Sequence, residues 1–195
     1  LIFDIGAHIG TTAQQFLDAG AGQVIAVEPC AENWLQLRQI VGIIPIQAAC
    51  WNEPMIIGVS YSINQSGCSS AQPGKWSQAY PDAQWAPIQY VPSITLSQMF
   101  TKFGSPYLIK IDVEGSEFQV ISGLSYRPNF LIFEFHHKFE NDTIRCLKRL
   151  QRLGFRRAHY VRDNLDLETV PTTPIDEFIP RWQKDAPEWG NITVN

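Results

Sequence analysis

No apolar run in the 195-residue chain approaches the ~20 residues that a membrane-spanning helix needs, and no signal peptide is visible. Cysteine is scarce. The four present, Cys30, Cys50, Cys68 and Cys146, form no C-x-x-C pair and have no zinc-ligand spacing. They read as free thiols of a reducing compartment, which predicts a cytoplasmic location. Charge is low as well: 17% of residues are charged and the formal net charge is −4, which argues against nucleic acid as the main ligand. No internal repeat is present. What remains is ordinary globular usage, 45% hydrophobic, and one domain is expected at roughly 100–200 residues per domain. The chain is long enough to bury a sizeable core. Leu1 falls inside what reads as a core strand, so further sequence is expected upstream.

The apolar residues are grouped into short runs. "LIFDIG", "QVIAVEP", "IIPIQAAC", "YLIKIDV" and "NFLIFEF" are continuously rather than alternately apolar. A parallel strand buried on both faces requires that pattern. Helical spacing separates the runs. Thr12, Ala13, Phe16 and Leu17 mark one helix, and Trp34, Leu37 and Val41 a second that Gly42 stops. Ser116 opens a third, with Gln119 completing a capping-box pattern. Ile144, Leu147 and Leu150 mark a fourth, capped by Asn141 or Asp142 and ended by Gly154. This alternation predicts an α/β fold: a mostly parallel, doubly wound sheet with helices on both faces. Residues 51–93, rich in Gly, Pro, Ser, Gln and Trp, break the rhythm and read as an inserted hairpin or cap. From about Asp163, the prolines at 171, 174, 180 and 187 predict an irregular tail, with an edge strand in "NITV".

The first strand ends in the acid Asp4 and turns through "GAHIG". In a doubly wound sheet that turn lies at the ligand crevice. Glycine lets backbone approach a ligand closely. The second strand ends in Glu28, placed to accept hydrogen bonds from both hydroxyls of a ribose. A dinucleotide site normally carries G-x-G-x-x-G, because pyrophosphate sits flat on the turn. The G-x-G pair is missing, and Asp4 suits an ammonium group better than a pyrophosphate. An acid-rich pocket of this kind fits S-adenosylmethionine, a ribosyl cofactor that carries a sulfonium cation.

The most distinctive stretch is "IKIDVEGSEFQVISGL", which brings Asp112, Glu114 and Glu117 to one end of the sheet. Glu117, at a helix start, reads as structural. The next strand brings Glu134 and His136 to the same edge on one face, with His137 on the other. Asp112 and His136 are the candidate general bases. The acids would allow a magnesium-assisted transfer, but no metal-ligand spacing compels one.

These residues carry a family resemblance. "FDIGAHIGTT", "VIAVEP", "GCSS", "ITLSQMF" followed by "YLIKIDVEGSEFQVISG", and "FLIFEFH" resemble the FkbM-type S-adenosylmethionine-dependent methyltransferases, in order from Leu1 to about His136. The resemblance implies a Rossmann-like, seven-stranded class I methyltransferase sheet. It also implies O-methylation of a hydroxyl on a sugar, glycan, polyketide or similar small molecule. By position, Asp4, Gly6, Ala7 and Gly10 would surround the methionine end, and Glu28 would bind the ribose. Ala49 and Cys50 would border the adenine, and Asp112 would lie beside both methionine and acceptor. His8 and "CWNE" depart from the family pattern, at positions where asparagine and small–Ser–Asp are usual.

Three rival readings share parts of this pattern. An NAD-dependent oxidoreductase would have the sheet and an acid at Glu28 but would need the missing G-x-G. A nucleic-acid methyltransferase or binding protein would use Arg145, Lys148, Arg149, Arg152, Arg156, Arg157 and Arg162; the plainer reading is a solvated helix face whose late cations complement the helix dipole. A catalytically dead relative would not be expected to keep Gly6, Glu28 and Asp112.

Overall fold

A computed structural model of the protein describes residues 1–64, 69–161 and 172–195. Cys68, Arg162 and the start of the expected tail, from Asp163 to Pro171, lie outside the described residues. In chain order the elements are β1 (Ile2–Ile5), α1 (Thr11–Asp18), β2 (Val24–Val27), α2 (Ala31–Leu37), β3 (Ile43–Ile46), β4 (Ala49–Cys50), β5 (Ile56–Tyr61) and β6 (Ser69–Ser70). There follow α3 (Pro73–Ala79), β7 (Gln89–Ile94), α4 (Leu96–Phe103), β8 (Leu108–Ile111), α5 (Glu117–Ser122) and β9 (Phe130–His136). The chain closes with α6 (Glu140–Arg152), β10 (Arg157–Val161), β11 (Thr173–Pro174), α7 (Ile175–Asp185) and β12 (Trp189–Val194).

Among the described residues the strands form a sheet of eight, in the order β11-β10-β12-β9-β8-β1-β2-β3, and a sheet of four, β4-β7-β5-β6. The run from β9 to β3 is parallel throughout, as its continuous apolarity requires. One face buries Phe3, Ile5, Ile109, Ile111 and Phe133 against α4, α5, α6 and α7. The other buries Val24, Ala26, Leu108 and Ile132 against Ala13 and Phe16 of α1 and Leu37 of α2. Asp4 and Lys110 are register partners on this second face, two charged side chains inside an apolar layer.

Several expectations are corrected. The run "IIPIQAAC" divides between the two sheets: β3 is the edge strand of the larger one, where Pro45 has no amide to leave unpaired, and β4 belongs to the smaller. The second helix stops at Leu37, and Val41 is 93% exposed, because Gly42 turns the chain after the apolar face is spent. Ser116 precedes α5 but its side chain makes no capping bond. Glu117 instead accepts from the Val113 and Gly115 amides, fixing the turn ahead of the helix. The capping box forms at α4, where Thr95 and Gln98 exchange bonds. The α6 helix begins at Glu140, so Asn141 and Asp142 lie in its first turn rather than at its cap.

The C-terminal segment differs most from expectation. Residues 175–185 form a helix despite Pro180, because Ile175, Phe178 and Trp182 make one buried stripe. The strand containing "NITV" is interior, antiparallel to both β9 and β10, and β11 is the edge. In residues 51–93, β5, β6 and β7 join β4 in the second sheet, and α3 lies over the turn after β8 through a Trp76 indole bond to the Glu114 carbonyl. No described helix is long and apolar enough to cross a membrane.

Thr95 and Gln98 of the α4 box line neither cavity of the ligand crevice, so the box separates stability from binding. Thr95→Ala is expected to cost about 1 kcal/mol and lower Tm by roughly 2–4 °C, with ligand affinity unchanged, as thermal unfolding followed by circular dichroism and a ligand titration would read.

Candidate functional site

Strand order reverses between β1 and β8: β1 leads to β2 on one side, β8 to β9 on the other. The crevice at their carboxyl ends is where doubly wound sheets bind ligands. The turn after β1 passes through Gly6 (φ 75°), His8 (φ 51°) and Gly10 (φ 96°). A Cβ on Gly6 would overlap the Asp112 carbonyl, so the end of β8 closes against this turn and admits no side chain there. The turn's amides are used internally. Gly6 and Ala7 donate to the Val27 carbonyl, Gly10 donates to Ala7, and His8 donates to Glu28 Oε2 at 2.9 Å.

Glu28 is 2% exposed. Beyond His8 it accepts from the Cys30 amide at 2.9 Å and the Asn33 amide group at 3.4 Å. Burial pushes its pKa up, and these donors pull it part of the way back. Two neighbouring cavities meet here and share Gly6, Ser69 and Asp112. The first is apolar, walled by Val27, Ala49, Cys50, Trp51 and Val59. Burial raises the Cys50 thiol to about 12, so this wall is uncharged at neutral pH. The second is polar, lined by His8, Thr11, Thr12, Glu28, Lys110 and Glu114.

Lys110 organises the floor. Its Nζ lies 3.2 Å from Asp112 Oδ2, 3.5 Å from Asp4 Oδ1 and 3.3 Å from the Gly6 carbonyl oxygen, to which it donates. Burial works against its charge, but Asp112 and Asp4 more than offset that and the pKa is raised. Asp4 is wholly buried with neither oxygen hydrogen-bonded, and burial pushes its pKa up. It acts on the cavity through Lys110 and does not line it.

Beyond Asp112 lies a second polar group. His136 Nε2 is 3.2 Å from Glu134 Oε2 and 3.9 Å from Glu114 Oε2. His136 Nδ1 is 3.3 Å from the Tyr80 hydroxyl. The Trp76 ring packs edge-on to the imidazole with centroids 4.7 Å apart, and Trp76 is 3% exposed. Burial lowers the His136 pKa, with Glu117 and Asp112 opposing. His137 falls in a short 3-10 turn that follows β9 and lies apart from this group.

Gly6, Ala7, Glu28, Ala49, Cys50 and Asp112 therefore converge on the paired cavities. Asp4 lies beneath them. Gly10 faces Leu37 and Ile40 of the neighbouring helix region, so its missing side chain serves packing there. His136 lies behind Glu114 and Glu134 rather than on the cavity wall. Sequence reasoning gave no site role to Thr11, Thr12 or Lys110, and marked His8 only as a departure from the family pattern. The signal for Lys110 was a lone cation inside an apolar parallel strand. Three basic side chains of the α6 region have partners within the chain: Arg145 pairs with Asp142, Arg149 donates to the Leu124 carbonyl, and Arg157 donates to Thr172.

A methyltransferase FkbM domain model matches residues 4–157. No curated protein sequence matches the chain. Among solved structures, methyltransferase FkbM from Methylobacillus flagellatus KT is similar with a TM-score of 0.58 at 13% identity, over 99% of this chain and 42% of that one. The ribosomal protein L11 methylase from Lactobacillus delbrueckii subsp. bulgaricus is similar with a TM-score of 0.50 at 12% identity, over 100% of this chain and 68% of that one. The chain thus spans less than half the length of the FkbM structure. At these identities the likenesses establish the fold, the Rossmann-like class I methyltransferase fold, with β11 as a short strand beyond the seven expected. The match over most of the chain, together with this fold, shows that the protein belongs to the FkbM methyltransferase domain family.

Proposed function

We propose that this domain binds S-adenosylmethionine and directs its methyl group to a hydroxyl oxygen of a sugar, glycan, polyketide or similar small molecule. The observation that carries the reading is the use of the first turn's amides. A pyrophosphate would need those donors, and Val27, Ala7 and Glu28 already hold four of them. The NAD alternative is disfavoured for that reason. The cavities fit the methyl donor instead. An uncharged apolar slot suits adenine, and acidic Asp112 and Glu114 suit a cation beside it. Among the described residues Glu28 Oε2 accepts from His8 alone and keeps a lone pair for a ribose hydroxyl. Arg145, Arg149 and Arg157 are engaged within the chain, which favours the solvated-face reading over a nucleic-acid acceptor.

When bound, the cofactor supplies an electrophilic methyl carbon; the protein supplies alignment and polarity. Gly6 and the β8 end set the floor of the cavity, and Lys110 ties Asp112 to that floor. Holding the acceptor oxygen in line contributes up to roughly 7–11 kcal/mol in favourable cases. Asp112 is the better placed of the two candidate bases, because it lines the cavity while His136 does not. The aromatics of residues 51–93 divide: Trp51 walls the apolar slot, Trp76 is buried on His136, and Tyr90 is 76% exposed. Acceptor contacts from this segment would come from its polar residues and Tyr80 rather than from one aromatic wall.

Glu28→Ala is expected to weaken S-adenosylmethionine binding roughly ten- to a hundredfold, given ~1.5–3 kcal/mol for a charge-assisted bond. Because Glu28 also holds the His8 and Cys30 amides, Glu28→Gln is the companion variant. The carboxylate form is the acceptor, and its pKa is raised. Affinity should therefore fall as pH drops, beginning above the ordinary glutamate range. Glu28→Gln should flatten that limb; calorimetry that shows the same pH dependence in wild type and variant would contradict the ribose assignment.

For turnover, Asp112→Asn should lower the rate by ~10²–10⁴-fold if Asp112 takes the acceptor proton. Transfer of labelled methyl to a panel of glycans, polyketide alcohols and short nucleic acids is the assay. Unchanged turnover in Asp112→Asn would leave alignment as the mechanism. Labelling of nucleic acid ahead of every hydroxylated small molecule would overturn the acceptor class.

A further inference from the structure

We propose that Glu114, Glu134 and His136 form a binding site for one first-row divalent cation, Mn²⁺ or Zn²⁺, with open positions toward the acceptor. The ligand atoms of the three residues all lie within 4.8 Å of one another. Zinc bonds of about 2.0–2.2 Å to imidazole and carboxylate place ligand atoms about 3–4 Å apart, and the observed 3.2 Å and 3.9 Å separations from His136 Nε2 match that geometry. Three protein ligands are the complement of a catalytic site that keeps room for substrate.

Two further observations support an ion here. First, several carboxyl groups meet at this corner: Asp112 and Glu114 line the polar cavity, Glu134 lies 3.2 Å from His136, and Glu117 accepts from the Val113 and Gly115 amides of the same turn. Lys110 pairs with Asp112 but is shared with Asp4, and Lys75 is held by Asp142 and the Gly115 carbonyl. Second, the other ring nitrogen of His136 has an outer partner, the Tyr80 hydroxyl, and Trp76 fixes the ring plane. Metal-ligating histidines are oriented in this way. The mixed nitrogen and oxygen set favours a transition ion over Mg²⁺, which prefers oxygen alone.

Resting on the methyl-transfer reading, this site narrows the acceptor class to small molecules in which the reacting hydroxyl stands beside a second oxygen, so that both can ligate one ion. Such coordination lowers the hydroxyl pKa. The alkoxide oxygen then forms the new bond to carbon as the carbon–sulfur bond breaks, and the released proton passes to Asp112.

The test is calorimetric titration of the chelator-treated protein with MnCl2, ZnCl2 and MgCl2, with electron paramagnetic resonance to count bound Mn²⁺. One Mn²⁺ or Zn²⁺ per chain is expected, with Mg²⁺ at least tenfold weaker. His136→Ala and Glu134→Gln should each weaken the ion at least tenfold, and Glu114→Gln, in a turn outside the strands, should do so with the fold intact by circular dichroism. Absence of binding to the wild type, or equal affinity in all three folded variants, would overturn the site. S-adenosylhomocysteine is titrated in parallel into the metal-free protein. Nucleoside binding without metal binding overturns the metal site alone, and metal binding without nucleoside binding overturns the methyl-transfer reading alone.

Discussion

The buried charge of Lys110 holds the crevice together. The Asp4 carboxyl, near the end of the first strand, has no hydrogen bond and no exposure, a position that a carboxylate occupies at several kcal/mol of desolvation cost unless a cation is near. Lys110 is that cation, one strand away in register. The same ammonium reaches Asp112 and the Gly6 carbonyl, so one side chain ties the first turn to the end of β8. The missing Gly6 side chain lets the two backbones close to that distance. Removing the lysine would strand two carboxylates, a loss of ~3–5 kcal/mol.

That constraint carries into the chemistry. With the turn drawn onto β8, its amides point back at Val27 and Glu28 and not outward at a phosphate. A fold shared with dinucleotide-binding proteins is thereby left with an acidic crevice, and the acids continue outward from Asp112 through Glu134 to Glu114 and His136. The inserted sheet and α3 cover this outer end. Trp76 bonds the Glu114 carbonyl and packs on His136, so the insertion is joined to the site by buried contacts.

The parallel core was legible because both faces of those strands are buried and the apolar runs are continuous. Gly6, Glu28 and Asp112 were legible because strand ends in this topology meet at one crevice. What escaped sequence reasoning depends on contacts between distant segments. Four prolines suggested an irregular tail, yet Ile175, Phe178 and Trp182 supply enough buried surface to hold α7 despite Pro180. "NITV" read as an edge strand because nothing local tells that β10 will cover it. Gly10 was read as a cofactor contact, and the sequence did not show that Leu37 and Ile40 also occupy the space a side chain there would need. Glu114 lies in the turn after β8 and Glu134 in β9, and their approach to His136 follows from a strand pairing that one sequence does not display. Lys110 was in plain view within "YLIKIDV", and its partner Asp4 becomes evident once the two strands are placed side by side.

The central claim is that this crevice takes a sulfonium nucleoside and not a dinucleotide. Calorimetric titration of the purified protein with S-adenosylmethionine, S-adenosylhomocysteine and NAD in parallel tests it most directly. The account predicts saturable one-to-one binding of the first two and none of NAD over the same concentration range. Saturable NAD binding, with the two methyl-cycle nucleosides failing to bind, would contradict it.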